Sequence, residues 1–140
     1  DYFEQYVGPA AETMKTIYNQ MRTLLITNQM FNGTSGWVYS ELTDLNNVLW
    51  PEATVMNWLD LIDKAYQDIA SLENKNPTLY KKYYDHINLE SIMPRVIYLD
   101  NIDIDYSVTR EEMVKKLLKD CEYLHVSYYS EGETMSTHFA

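Results

Sequence analysis

Apolar residues recur at Ala10, Met14, Ile17, Tyr18, Met21, Leu24 and Leu25, a three-and-four spacing that lays one stripe along a helix from Pro9 to about Met30. A second stripe, Val55, Met56, Leu59, Ile62, Ala65, Tyr66, Ile69 and Leu72, follows Pro51. Proline suits the first helical position, where its missing N–H would have no intrahelical partner anyway. Asn76 and Pro77 repeat this logic as N-cap and first residue of a third helix reaching Met93. Pro94 then removes a backbone donor and crowds the preceding turn, so a kink is expected there, with helix resuming to about Asp103. The best-marked start is the last one. Thr109 and Glu112 make a Thr-x-x-Glu capping box, Val108 and Met113 can staple around it, and helix is predicted through about Tyr128.

The breaks between these stripes are equally specific. Asp1-Tyr2-Phe3-Glu4-Gln5-Tyr6-Val7 ends at Gly8-Pro9, which reads as a helix end, a joint and a fresh start. Between positions 31 and 39 Asn32-Gly33 and Ser35-Gly36 give two strong turn signals and a loop carrying Trp37 and Tyr39; Ser40 can then cap a short helical segment through Leu49. From Ser130 onward the residues are small and polar without a period, so the tail should be irregular or docked. Regular alternation is confined to Ile102-Asp103-Ile104-Asp105-Tyr106, and no repeat of fixed period is visible. The pattern therefore predicts an all-α antiparallel bundle of about four to five helices, one of them kinked at Pro94.

Composition narrows the function classes. One hundred and forty residues with 46% apolar content suit a single core, and no apolar run approaches the roughly 20 residues of a membrane span. A net charge of −10 repels phosphate backbones and anionic head groups, which disfavours nucleic-acid and membrane-surface partners. Cys121 is the only cysteine and forms no internal disulfide, so cysteine usage does not identify the compartment. Thirteen tyrosines and three tryptophans are a high share; such rings suit interfaces and sugar faces as well as ordinary helix packing.

The opening Asp-Tyr-Phe…Tyr-x-Gly-x-Ala-Ala string, with Met14 and Tyr18 one and two turns on, resembles the entry to the C-terminal helical part of an uncharacterised bacterial glycoside-hydrolase-like family, domain-of-unknown-function family 4838. Trp50-Pro51, Ala65-Tyr66, Tyr83-Tyr84 and Arg95-Val96 follow the same pattern less sharply. In that family the helical part follows a catalytic-type (β/α)8 barrel. The resemblance implies that residues 1–140 are one helical accessory domain, that the missing (β/α)8-type domain of the same parent chain is its partner, and that the setting is periplasmic or cell-envelope. The family's acidic catalytic residues would lie on the barrel, so none carries over to a position here.

Candidate chemistry within the chain is sparse. Glycoside hydrolysis needs two carboxyl groups roughly 5 to 10 Å apart on rigid elements. Glu41 and Asp44 flank the aromatic loop, but acids at a helix entry are explained by the helix dipole, and no catalytic dyad stands out. His86, His125 and His138 lack metal-ligand spacing to one another or to Cys121, no glycine-rich phosphate loop exists, and Cys121 falls on the Val114, Leu117, Leu118, Leu124 face as a core residue. Asn101, Asp103, Asp105, Thr109 and Glu112 approach a calcium loop, yet Tyr106 stands where the turn wants glycine and the capping box also claims Glu112. An acidic linker into a capped helix explains them without a metal. Asn32-Gly33-Thr34 fits a glycosylation acceptor but reads first as a turn.

Trp37, Tyr39 and Trp50 are the contact candidates: they can stack on sugar rings, wedge against a neighbouring domain, or bury themselves in the chain's own core. The expected function is a non-catalytic helical accessory domain of a carbohydrate-active, glycoside-hydrolase-like protein, without cofactor or metal. The alternatives are a free-standing acidic protein-interaction module and a carbohydrate-binding module centred on Trp37 and Tyr39.

Overall fold

The computed structural model describes residues 2–32, 50–126, 128–130 and 133–139. They form α1 (Tyr2–Val7), a 3-10 turn (Gly8–Ala10), α2 (Ala11–Asn32), α3 (Glu52–Ile69), α4 (Leu72–Lys75), α5 (Pro77–Asn101), α6 (Arg110–Tyr123), a two-stranded hairpin of β1 (Tyr128–Ser130) and β2 (Glu133–Thr134), and α7 (Met135–His138). The architecture is an all-α bundle. Side-chain pairings give the directions. Thr13 of α2 meets Asp68 of α3 while Gln20 meets Trp58, so one number rises as the other falls. Lys81 of α5 likewise meets Tyr123 of α6 while Arg95 meets Asp120. Both helix pairs are antiparallel.

The Gly-Pro joint is built from two constraints. Gly8 takes φ 57°, which closes α1, and Pro9 lies in the 3-10 turn rather than opening α2 itself. A Cβ on Gly8 would also stand 2.3 Å from Tyr83 Cε2 of α5, so the backbone approaches that ring as closely as glycine allows. The turn thereby presses α1 onto α5 and delivers Val7, Ala10 and Ala11 into the core. Met14 and Ile17 of the expected α2 stripe are buried, whereas Tyr18 at its edge is 54% exposed.

In α3 the buried face is Val55, Trp58, Leu59, Ile62, Ala65 and Ile69, with Met56 and Tyr66 half-buried on its margins. Trp58, at the same spacing, is the residue the stripe omits and is fully buried. Asn76 caps α5 by accepting from the Leu79 N–H at 3.2 Å, and Pro77 is its first residue.

Helix α5 passes through Pro94 and ends at Asn101, two residues before the expected limit. Pro94 offers no N–H and is fully buried. Arg95, the next residue, folds back along its own helix: its Nε donates to the Ser91 carbonyl at 3.2 Å and an Nη donates to the Asn88 carbonyl at 3.3 Å. Arg110 closes the end of the same helix by donating to the Leu99 and Ile102 carbonyls, which a helix terminus otherwise leaves without partners.

The capping box at the start of α6 is complete in both directions: the Glu112 N–H donates to Thr109 Oγ1, and the Thr109 N–H donates to Glu112 Oε2. Met113 is buried, but Val108 is 42% exposed, so only one member of the expected staple sits in the core. Helix α6 stops at Tyr123 rather than near Tyr128 because His125 adopts φ 60°. The Val126 N–H then reaches the Cys121 carbonyl and the His125 N–H the Glu122 carbonyl, a Schellman closure with histidine in glycine's usual place. The tail beyond is docked: Met135 of α7 is buried, and His138 bridges Glu133 and Asp100 at 3.0 and 2.7 Å.

Candidate functional site

In α1 the residues Tyr2 and Tyr6 are one helical turn apart and therefore share a face. Their rings stack with centroids 5.4 Å apart and planes 14° from parallel. Tyr6 in turn lies on His86 of α5, 3.9 Å away and nearly parallel, giving a stack of three rings across the α1–α5 joint. His86 is fixed from its edge as well: Nδ1 donates to the Tyr6 carbonyl, one of the acceptors left over at the end of α1. Glu90, one turn along α5, accepts from the Tyr6 hydroxyl at 3.0 Å. Burial, then the Glu90 charge and hydrogen bond, and the Tyr2 phenol push the Tyr6 hydroxyl well above the ordinary phenol range. Phe3 crosses Tyr2 nearly at right angles and meets Tyr18 of α2, with Lys15 Nζ over the Phe3 ring 5.8 Å from its centroid. The outer members of this face are open, with Tyr2 68% exposed.

A second cluster lies inside the bundle where α3, α5 and α6 meet. The Tyr66 hydroxyl donates to Asn88, Ser91 Oγ donates to the Asn88 carbonyl, and Arg95 links both carbonyls of its own helix to Asp120 at 2.8 Å. Lys116 shares the same Asp120 oxygen at 2.8 Å. Burial raises the Tyr66 hydroxyl and the Cys121 thiol, with the Arg95 charge opposing it at both. A raised thiol is a poor nucleophile, and the Asp120 carboxylate is already engaged by Arg95 and Lys116. The chemistry this cluster performs is to join three helices.

Two carboxylates do converge, on α3. Asp60 and Asp63 both accept from the Tyr106 hydroxyl, and burial followed by these two hydrogen bonds raises the phenol strongly. Their spacing of three along one helix was readable in the sequence, but Tyr106 comes from the loop after α5 and had no local signal. Both aspartates are exposed on the outer side of α3.

Of the expected contact residues, Trp50 is 6% exposed and meets Trp58 edge-to-face at 5.7 Å, so its ring belongs to the core. Trp37 and Tyr39 lie outside the described residues, as do Glu41, Asp44 and the helical segment expected from Ser40 to Leu49. Among the described residues no group of three or more His, Cys, Asp or Glu side chains is placed to hold a metal ion. In the calcium-like segment, Asn101 remains helical and donates to the Ile97 carbonyl while Glu112 folds back onto Thr109. No helix among the described residues is long and apolar enough to cross a membrane. The three-ring face was missed because His86 is 80 residues from Tyr6 in the chain; only the Tyr2–Tyr6 spacing hinted at it.

No protein-family model matches this chain, and no curated protein or solved structure matches it either.

Proposed function

We propose that the chain is a non-catalytic helical accessory domain that works by contact, with the α1 face as its contact surface. The observation that carries this reading is the aromatic face itself. Tyr2 is exposed beyond Tyr6 and His86, and Tyr18 is exposed beyond Phe3, whereas the polar cluster that could have suggested chemistry is consumed in internal bonds. Exposed apolar and aromatic area rimmed by polar groups is what soluble domains keep for partners. The partner class follows from the resemblance of the opening string: a (β/α)8-type, carbohydrate-active domain of the same parent protein, in a periplasmic or cell-envelope setting.

A screen of the chain over aryl-glycosides tests the non-catalytic half of this reading. We expect no turnover. Activity that co-purifies with the chain and disappears on Asp60→Asn or Asp63→Asn would overturn it and make the Tyr106-linked carboxylates the site. A free-standing protein-interaction module would use the same face; a sugar-binding module centred on Trp37 and Tyr39 gains nothing from Trp50, whose ring is inside the core.

A further inference from the structure

Among the described residues, this chain lays its own cations over four of its rings: Lys15 over Phe3, Lys81 over Tyr123, Lys82 over Tyr83 and Arg110 over Tyr98, all within 5.2 to 6.0 Å of the centroid. Tyr2 is different. One side of its ring stacks on Tyr6, Phe3 meets it edge-to-face at 5.7 Å, and the residue is still 68% exposed with none of these cations over it. The carboxylate next to this stack is held by a neutral hydroxyl rather than by a cation. Lys15 is paired with Glu12 at 3.7 Å, but Glu90 meets no basic side chain among the described residues and accepts only the neutral Tyr6 hydroxyl. With the whole chain at −10, an open electron-rich ring beside an uncompensated carboxylate favours a cation over a neutral ligand.

We propose that this face receives an arginine-bearing segment of the partner domain, one guanidinium stacking on the exposed Tyr2 ring and a second basic group pairing with Glu90. Arginine fits better than lysine because its guanidinium is planar, weakly hydrated and able to stack while its N–H groups still bond, and because it pairs with carboxylates two-pronged. The proposal rests on reading the α1 face as a contact surface and adds the chemistry of what it contacts.

The test is an NMR titration of the 140-residue chain, following the Tyr2 and Tyr6 ring resonances. The probes are the capped peptide Gly-Arg-Gly-Arg-Gly, its lysine counterpart and methyl β-glucoside. We expect saturable shifts with the arginine peptide, binding about threefold weaker with lysine, and weakening by added salt. Tyr2→Ala should reduce affinity about tenfold and Glu90→Gln about threefold. Affinity unchanged in Tyr2→Ala, or lost equally in a control variant at the exposed Tyr123, would mean diffuse attraction to an acidic surface and overturn the proposal. Saturation by the glucoside instead of the peptide would make the face a sugar platform, and shifts that follow protein concentration alone would make it a self-contact; either overturns the arginine assignment. These outcomes leave the glycoside screen untouched, so failure of this proposal and failure of the non-catalytic reading are told apart.

Discussion

The joint of α3, α5 and α6 and the outer face of α1 treat their side chains in opposite ways. At the joint, polar and charged groups are taken out of water and each is given a partner, from the Tyr66 hydroxyl through Arg95 to Asp120. On α1, the Tyr2 ring is left facing water while Phe3 and Tyr6 are half-buried against the core. Burying charge is costly unless every hydrogen bond is replaced, and leaving rings exposed forgoes hydrophobic stabilisation. The first arrangement joins three helices through Arg95 and Asp120; the second fits the contact surface we propose. One region answers to the fold, and the other is the face we propose for a partner.

The sharpest way to break this contrast is at Arg95. Arg95→Met removes the donor to two carbonyls and leaves Asp120 inside with Lys116 alone, and we expect a loss of about 3–5 kcal/mol in urea unfolding. Arg95→Lys should recover little of this, because one ammonium group cannot reach along its own helix and across to α6 together. A loss below about 1 kcal/mol would show that water already satisfies the Pro94 turn.

Next in size is Gly8→Ala, which ties the two regions together. A left-handed alanine costs about 1–2 kcal/mol, and the clash of its Cβ with Tyr83 adds an overpacking cost of about 1–3 kcal/mol. We expect destabilisation of about 2–5 kcal/mol, with α1 the first element to lose amide protection in hydrogen exchange. Wild-type protection across α1 would show that the turn can be rebuilt without glycine.

These two residues also mark what could be read from the chain. Gly8-Pro9, the Asn76 cap and the Thr109–Glu112 box are local devices, set by neighbours within four residues, and local spacing displays them. Arg95 was not readable as a buried group, since a charged residue on a helix is ordinarily a surface one; its burial follows from Pro94 and from Asp120, 25 residues on. The end of α6 was overrun because the left-handed residue is His125, which carries none of glycine's signal. The contact face suffered similarly. Aromatic residues were visible as a class, but which of them point outward depends on Tyr83, His86 and Glu90 arriving from α5.

Two smaller changes sharpen the local side of the picture. Thr109→Ala should cost about 1 kcal/mol through loss of the capping bond, and millimolar calcium should leave the melting temperature unchanged in both proteins. A calcium-dependent rise that vanishes in Glu112→Gln would instead return Glu112 to a cation. His125→Gly should move the other way, stabilising by up to about 1 kcal/mol, because glycine adopts the same φ of 60° without the Cβ penalty. A destabilised His125→Gly would show that the imidazole contributes more than the turn conformation takes away.

The smallest expected change in stability belongs to Tyr2→Ala, and its smallness is the point. Tyr2 is 68% exposed and touches the rest of the chain mainly through Tyr6 and Phe3. Surface substitutions of this kind usually stay within about 0.5 kcal/mol, so urea unfolding of the variant should overlay the parent. A residue that contributes so little to folding, while leaving a large ring in water, is what the proposed contact face requires. The stability measurement therefore decides whether the contrast with Arg95 is real. A loss above about 1.5 kcal/mol would make the ring stack a structural element, as interior as the Arg95 joint despite its exposure, and would remove the reason for assigning the α1 face to a partner.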